Sequence, residues 1–266
     1  MIRRPAVAGS FYPGSKAALE KELAEYIEIS ENKRNVLGLI SPHAGYVYSG
    51  GCAGKGFGLV DIPGTVIILG VNHRGMGHPF AVDGNDYWNT PLGDVMLDKE
   101  LRARIVGESK IFAVDSVAGS HEHSLEVQVP FIQYLNPDTK ILPITVSSLD
   151  LRDLTIAGKE LGEIVKDNRD LLLLASTDMT HFLDADTAKN QDNKAIDKIL
   201  ALDPKGLFDT VVEKDISMCG MAPTVIMLYA ALEAGAGAVE TLCYTNSGEA
   251  SGDYDRVVAY YSAIVY

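Results

Sequence analysis

Three apolar runs, each followed by a histidine motif, constrain the fold of this chain more than any other feature. Val, Ile and Leu make up most of these runs, which have the length of buried strands and cover residues 36–40, 65–69 and 171–174. Turn or polar residues come after each run, and then one histidine: His43, His73 and His181, respectively. Open α/β sheets bind their ligands beyond the carboxyl ends of such strands. We therefore expect the three histidines to converge on one metal or acid/base site.

Segments with helical periodicity alternate with these strands. Apolar residues recur at helical spacing over residues 16–29 and 151–165, and helices are predicted to dominate residues 187–232. This alternation predicts an α/β fold, a three-layer sandwich with a mostly parallel central sheet. Residues 140–146 (KILPITV) form a further predicted strand, near an edge or a bulge because Pro143 has no backbone donor.

A glycine-rich segment at residues 50–58 is predicted to be a helix. Each glycine there costs about 1 kcal/mol relative to alanine, so close packing against the sheet is the favoured explanation. A phosphate-binding loop is the weaker interpretation, because the chain contains neither GxxxxGK[ST] nor GxGxxG after a strand. If this helix is exposed, its glycines and the acidic surface also permit a homodimer.

Composition excludes several classes of function. The net charge is −13 and the 23 Lys and Arg residues are scattered, which argues against a nucleic-acid partner. No apolar run approaches the ~20 residues of a membrane span, and no apolar signal core follows the N-terminal arginines. The three cysteines are widely spaced and lack a CxxC pair, as expected in a reducing cytosol. We predict a cytoplasmic protein in which residues 1–266 form a single domain.

Two histidine motifs carry candidate acid/base groups. Asp178 and His181 are three residues apart, so on a helix they would share a face and act together. The alternative is that Asp178 simply caps that helix. His123 lies in HEHSLE, three residues before Glu126, and the ordinary pKa of imidazole suits proton transfer near neutrality. A surface loop that ends in a helix cap would contain the same residues.

Near the C-terminus, the polar segment 245–253 (TNSGEASGD) follows a predicted strand. Its carboxylates, Glu249 and Asp253, would complete the ligand set of a metal site, although a polar hairpin loop would have much the same composition. Cys219 precedes a predicted helix, whose N-terminus would favour the thiolate. A small buried side chain is the commoner role for such a cysteine.

Several motifs together resemble the Memo family, the mediator-of-cell-motility homologues. They occur in the family's order along essentially the whole chain: RPAVAGSFYP, SPHAGYVYSG, GVNHRG, EHSLEVQVPF, STDMTH, MCG and NSGEASGD. Members of this family are structurally similar to class III extradiol dioxygenases, which are non-haem iron enzymes. The resemblance therefore implies a dioxygenase-like α/β fold with a metal pocket, and it leaves the reaction open.

The resemblance also implies roles for individual residues. The family's two metal-binding histidines correspond to His43 and His73, and its pocket Asp and His correspond to Asp178 and His181. His123 lies where related dioxygenases have an acid/base histidine.

The third metal ligand is where this chain departs from the family pattern. In animal relatives it is a cysteine of the C-terminal loop, but the matching position here is about Ala250. Glu249 would supply the carboxylate of a two-histidine, one-carboxylate triad, with Asp253 as the second choice. Chemistry that depends on a thiolate ligand is therefore not expected.

Three functions are compatible with these residues and motifs. The first is an oxidoreductase with Fe(II) on His43, His73 and Glu249, in which His123 or His181 moves protons. The second is a metal-assisted hydrolase, with Asp178 or His181 activating a bound water. The third is a binding protein for a small molecule or peptide, since animal relatives are linked to phosphotyrosine peptides. Copper or zinc would also suit the histidines.

Overall fold

A mixed sheet of nine strands forms the centre of the protein in this computed structural model, which describes residues 1–166, 168 and 170–266. The strands are β1 (Ile2–Arg3), β2 (Gly38–Ser41), β3 (Thr65–Val71), β4 (Phe80–Val82), β5 (Tyr87–Thr90), β6 (Gly93–Met96), β7 (Ala113–Val114), β8 (Lys140–Val146), β9 (Leu171–Ser176), β10 (Asp178–Leu183), β11 (Val239–Asn246) and β12 (Val257–Val265). The helices are α1 (Lys16–Tyr26), α2 (Tyr46–Leu59), α3 (Lys99–Glu108), α4 (His123–Glu126), α5 (Val129–Leu135), α6 (Leu151–Lys166), α7 (Ala185–Leu200), α8 (Pro204–Glu213), α9 (Met221–Glu233) and α10 (Gly248–Ser251). A second sheet contains β1, β5 and β6.

The four central strands of the large sheet are parallel, in the order β2, β9, β3 and β8. Antiparallel strands flank this block, with β12 beside β2 and β4 beside β8. Strands β10 and β11 both pair antiparallel with β12, while β7 pairs parallel with β4. The α/β class is confirmed, but the sheet is mixed rather than mostly parallel. Antiparallel neighbours need no helical crossover, so the short link between β11 and β12 is sufficient.

Helices cover both faces of the sheet because side chains of the central strands alternate between the faces. In β3, Ile67 and Leu69 belong to a core with α3 and α6 to α9. Val66 and Ile68 belong to a second core with α1, α2 and α5. The predicted layered arrangement, with helices on both sides of the sheet, is therefore present. Within the described residues, no helix has the length and apolarity that crossing a membrane requires.

Pro143 lies in an interior strand whose pairing has no register shift, so neither the expected edge nor the expected bulge is present. Strand β8 pairs with β3 on one side and with β4 on the other. The ladder with β4 ends at the pair of Val82 and Ile144, and the next amide, that of Asp83, donates to the carbonyl of Pro143. The N and O of a strand residue point to the same side. Pro143 has no N–H group, and its nitrogen faces the point where the pairing with β4 ends, so no hydrogen bond of the ladder is lost.

The glycines of α2 allow contacts at backbone distance. A Cβ added at Gly54 would lie 2.1 Å from the carbonyl oxygen of Tyr26, at the end of α1, and one added at Gly56 would lie 2.4 Å from Ser262 Oγ in β12. The predicted close packing is confirmed, although the sheet is only one of the two partners. Both glycines are buried, so this helix lacks the exposed glycine face on which the homodimer expectation was based.

We expect Gly54→Ala to destabilise the protein by about 1–3 kcal/mol or more, because the added methyl group overlaps a backbone carbonyl that cannot rotate away. Gly51→Ala is the matched control, since its nearest atom would be Tyr26 Cδ1 at 4.0 Å and alanine favours the helix. Urea unfolding of both variants measures the difference. Equal free energies of unfolding for the two variants would contradict this account of the packing.

Candidate metal centre

The ends of two parallel strands and the start of a short helix bring three histidines together. His43 follows β2 after Pro42, His73 follows β3, and His123 is the first residue of α4, which packs on the end of β3. One ligand nitrogen from each of the three lies within 4.8 Å of the others. The strand ends therefore converge as predicted for His43 and His73. The third member of the group is His123 rather than His181.

The three imidazole rings are arranged around a common centre. The ring of His43 stands nearly perpendicular to those of His73 and His123, with centroid distances of 5.5 Å to each. The rings of His73 and His123 are stacked at 4.7 Å with an angle of 18° between their planes. The three ligand nitrogens, which lie within 4.8 Å of one another, suit a single metal ion, because His–metal bonds are about 2.0–2.1 Å long.

The carboxylate of Glu122 orients His73. Glu122 is fully buried, and it accepts hydrogen bonds from the backbone N–H of His73 at 2.8 Å, from His73 Nδ1 at 2.9 Å and from the N–H of Ser124 at 2.9 Å. Burial alone would raise the pKa of Glu122, but the hydrogen bonds from His73 and Ser124 lower it to about 2. An ionised carboxylate only accepts, so Nδ1 of His73 carries the proton and Nε2 is available to a metal.

A buried hydroxyl orients His43 in the same way. Ser176 Oγ donates its proton to the carbonyl of Ser124 at 2.6 Å and accepts from Gln128 Nε2 at 2.8 Å. His43 Nδ1 lies 3.0 Å from the same oxygen. A hydroxyl has one proton to donate, so His43 Nδ1 must be the donor in this contact. The lone pair of His43 is therefore on Nε2.

The donor set fits a divalent transition metal. Burial of its ring and the neighbouring His73 lower the pKa of His43 to about 3, and burial together with His43 lowers the pKa of His123 to about 4. Both rings are therefore neutral at physiological pH. Neutral imidazole with a fixed tautomer is the form that binds zinc, copper and iron.

Cys219 is the nearest neighbour of the free nitrogen of His43. Its Sγ lies 3.2 Å from His43 Nε2. Burial and the neighbouring Asp178 raise the pKa of the Cys219 thiol well above its ordinary value. The reactive thiolate considered from the sequence is therefore disfavoured here, and the S–H group has the backbone carbonyl of Asp178 as a second acceptor, at 3.6 Å, when His43 Nε2 holds a metal. Cys219 is outside the group formed by the three histidines.

Asp178 and His181 lie on a strand, so the predicted helix at this position, with its shared face or its cap, is wrong. Residues three apart on a regular strand face opposite sides, but β10 has a register shift between these two residues. Both side chains consequently line the same cavity. Antiparallel pairing of β10 with β12 and burial of Met179 in the core outweigh the local helical spacing.

The carboxylate of Asp178 is part of the centre. Its Oδ1 accepts the backbone N–H of His43 at 2.7 Å, and its Oδ2 lies 4.0 Å from His43 Nε2. Burial raises the pKa of Asp178 to about 6, against the opposing effect of the hydrogen bond from His43. His181 Nδ1 donates to the carbonyl of Ser217 at 2.9 Å, so in the neutral ring the lone pair is on Nε2.

A cavity of about 490 Å³ opens beside the histidines, within the usual size range of small-molecule sites. His123, Asp178 and His181 line the side of the cavity next to the metal centre. The remaining wall combines aromatic side chains of the N-terminal segment, α2, β10 and β12 with polar side chains of the C-terminal segment: Phe11, Tyr48, Phe182 and Tyr260, and Ser247, Ser251, Asp253 and Arg256.

Glu249, the expected third ligand, is not in the histidine group. It lies exposed on α10, and among the described residues the group of three ligand atoms that all lie within 4.8 Å of one another is formed by the histidines. Asp253 lines the outer part of the cavity and is also exposed. The sequence suggested Glu249 or Asp253 as a ligand because carboxylates are common metal ligands. The positions of these two side chains depend on the path of the chain after β11, which the sequence pattern does not specify.

Glu126 is bound to the N-terminal segment instead of acting with His123. It is 1% exposed and forms an ion pair with Arg3 at 2.7 Å, while its oxygens also accept the Ala6 amide and the Tyr12 hydroxyl. Arg3 in turn donates to the backbone carbonyl of Glu122. These contacts fix the short helix α4, which carries His123, against the body of the protein.

Sequence reasoning missed Glu122 and Gln128 as positioning residues. Glu122 stands between two histidines in the motif GSHEHSLE, and this position was the one available indication of its role. Gln128 gave no indication, because its contacts to Ser176 and to the carbonyl of Pro42 join segments that are far apart in the chain.

Comparison with known proteins identifies the family to which this chain is similar. A family model described as Memo-like protein matches residues 3–264. A MEMO1 family protein of Methanosarcina barkeri is 41% identical over 99% of this chain and 100% of its own length. A MEMO1 family protein of Aquifex aeolicus is 39% identical over 99% of this chain and 98% of its own length.

Among solved structures, an uncharacterized protein of Escherichia coli K12 has a similar fold. Its TM-score is 0.57 at 14% sequence identity, and the match covers 85% of this chain and 98% of that one. At this identity the similarity extends to the fold alone.

We expect Glu122→Gln to weaken binding of a divalent metal by about 10–100-fold, the usual effect of losing a carboxylate that orients a ligating histidine. Glutamine keeps the shape, but its amide no longer requires the proton on Nδ1 of His73. Titration of the metal-free protein with Zn²⁺ measures the change, with Glu249→Gln as the control for loss of one negative charge. Equal affinities in the two variants would contradict the orienting role.

Proposed function

This chain belongs to the Memo-like family, and we propose that it is a metal-dependent enzyme whose divalent metal is held by His43, His73 and His123. The observation that carries the proposal is the convergence of three imidazole nitrogens within 4.8 Å. Two of these rings have tautomers set by hydrogen bonds to buried groups, which leaves Nε2 available. Hydrogen bonds that orient the ring in this way are typical of histidines that hold a metal.

Fe(II) is the proposed metal, and oxidation of a small substrate in a class III extradiol dioxygenase-like manner is the proposed reaction. The similarity of the sequence motifs to the family supports this choice, and the α/β architecture is compatible with it. When bound, iron would supply a Lewis-acid and redox centre with positions open for substrate and oxygen. His43, His73 and His123 would hold it through neutral nitrogens.

Asp178 and His181 are proposed to handle protons in the cavity. Asp178 Oδ2 lies 4.0 Å from the metal-facing nitrogen of His43, which places the carboxylate next to any group bound there. His181 Nδ1 donates to the backbone carbonyl of Ser217, so in the neutral ring Nε2 is the nitrogen that can accept a proton. His123, considered from the sequence as an acid/base group, acts in this proposal as a ligand. Proton transfer accordingly falls to Asp178 and His181.

Metal-assisted hydrolysis is the second candidate, and the ligand set favours it. Three neutral histidines without a carboxylate are typical of catalytic zinc sites that keep one position for water. Asp178 would then act as the general base, since it faces the same cavity. The two candidates share all their ligands and differ in the metal and the reaction.

The first experiment measures metal content by elemental mass spectrometry after purification without oxygen or chelator. We expect about one metal ion per chain, with at least tenfold less in His43→Ala and in His123→Ala. Glu249→Ala should retain the metal of the native protein, since that side chain is exposed and outside the histidine group. Circular dichroism of each variant controls for folding.

The outcome separates the ligand sets as well as the functions. Loss of metal in Glu249→Ala with retention in His123→Ala would restore the two-histidine, one-carboxylate site and overturn our assignment. Iron together with substrate-dependent oxygen consumption supports the oxidoreductase. Zinc together with cleavage of activated esters supports the hydrolase. A metal-free protein that takes up neither ion would refute the proposed function.

A further inference from the structure

Phe182 is both exposed and strained. Its side chain is 62% exposed, and its backbone φ of 64° lies in the left-handed region, which a bulky residue rarely adopts. Exposed apolar residues are common on their own, but the combination with a left-handed backbone is not. Neither feature stabilises the folded chain. Strain of this kind concentrates at sites where the structure positions a side chain for a ligand.

The ring of Phe182 stands at the mouth of the cavity beside the histidines. It lies 5.7 Å from the ring of His181 and 5.7 Å from the guanidinium of Arg256. Other aromatic side chains complete the wall: Phe11, Tyr48 and Tyr260. Planar apolar surfaces on several sides suit a flat ring, because aromatic groups pack by stacking or edge-to-face contact.

Arg256 is the cation of this cavity. No carboxylate within the described parts of the chain comes within 4.0 Å of its guanidinium. Asp253, which also lines the cavity, uses Oδ1 to accept the amide of Asp255 in its own turn. The planar guanidinium is therefore available to a ligand, and its geometry matches a carboxylate.

We propose that the cavity binds a small aromatic carboxylate, with the ring between Phe182 and the other aromatic side chains and the carboxylate on Arg256. This inference names the substrate class of the proposed function and rests on the same cavity. The charges define the orientation. Asp178 at the inner end repels an anion, whereas Arg256 at the mouth attracts it, so the far end of the ligand ring faces the histidines.

The aromatic wall and the carboxylates of Asp178 and Asp253 also suit a cationic ligand, but Arg256 argues against one that stacks on Phe182. A cation stacked on Phe182 would lie close to the guanidinium, and like charges repel. The volume of about 490 Å³ further favours a compact ligand that enters as a whole.

The test compares 2-naphthoate with its uncharged amide, 2-naphthamide, by ligand-observed NMR titration of the full metal-free chain. We expect native protein to bind the carboxylate more tightly. Arg256→Gln should lower its affinity about tenfold or more, as for loss of a hydrogen bond to a charged group, and leave the amide unchanged. Arg152→Gln, on the exposed surface of α6, is the control for the same change in net charge.

Phe182→Gly tests the second part of the recognition. Glycine adopts a positive φ without strain, so the variant should weaken binding of both probes without lowering the midpoint of thermal unfolding. A lower midpoint with unchanged affinity would show a structural role and remove Phe182 from the proposal. The Arg256→Gln result stands independently of how this variant folds.

Several results would overturn the inference. Equal affinity of native protein for the carboxylate and the amide would exclude anion recognition, as would an unchanged affinity in Arg256→Gln. Metal uptake by the histidines without binding of either probe would refute the ligand class and leave the proposed function intact. Carboxylate binding that depends on Arg256, in a protein that takes up no metal, would support the ligand class and refute the metal-dependent enzyme.

Discussion

The buried carboxylate of Glu122 is the interaction on which the candidate site depends. One side chain joins the turn after β3 to the start of α4, because it accepts both the backbone and the ring N–H of His73 and also caps the helix that begins with His123. Removing a charge from water is costly, so a buried carboxylate persists only with several donors around it. Here the donors are the amide and ring N–H groups of His73 and the amide of Ser124. The hydrogen bonds that offset the cost of burying Glu122 therefore also orient His73 and fix the start of α4.

The same region is held from outside by the N-terminal segment. Arg3 pairs with Glu126 in the interior, donates to the backbone carbonyl of Glu122, the N-cap of α4, and stacks on Trp88 at 4.0 Å. A helix of four residues has little stability of its own, so tertiary contacts must supply the rest. Residues at opposite ends of the first half of the chain thus define the position of His123. The opposite side of the centre depends on β10 and β12, whose irregular pairing turns both Asp178 and His181 towards the cavity.

Much of the fold was predictable because it follows from local periodicity. The apolar runs at β2, β3 and β9 are buried strands, and the α/β class and the helices on both faces follow from their alternation with amphipathic segments. The antiparallel flanks were not predictable, since a run such as β12 has the same pattern in either direction. Pro143 and the helix expected at Asp178 show the same limit. Pairing with β4 determined the surroundings of Pro143, and pairing with β12 made the segment that contains Asp178 a strand.

For the candidate site, the sequence by itself determined which residues have the right chemistry and that His43 and His73 follow parallel strands. Family membership, with its ordered motifs, was also determined at this level. The tertiary structure alone decided that His123 rather than Glu249 joins them, that Glu122 and Ser176 set the tautomers, and that Phe182 and Arg256 meet at the cavity mouth. The physical reason is that a ligand set is a matter of a few ångströms between distant segments. Periodicity specifies which face of an element is buried, whereas such distances depend on how loops and irregular strands pack together.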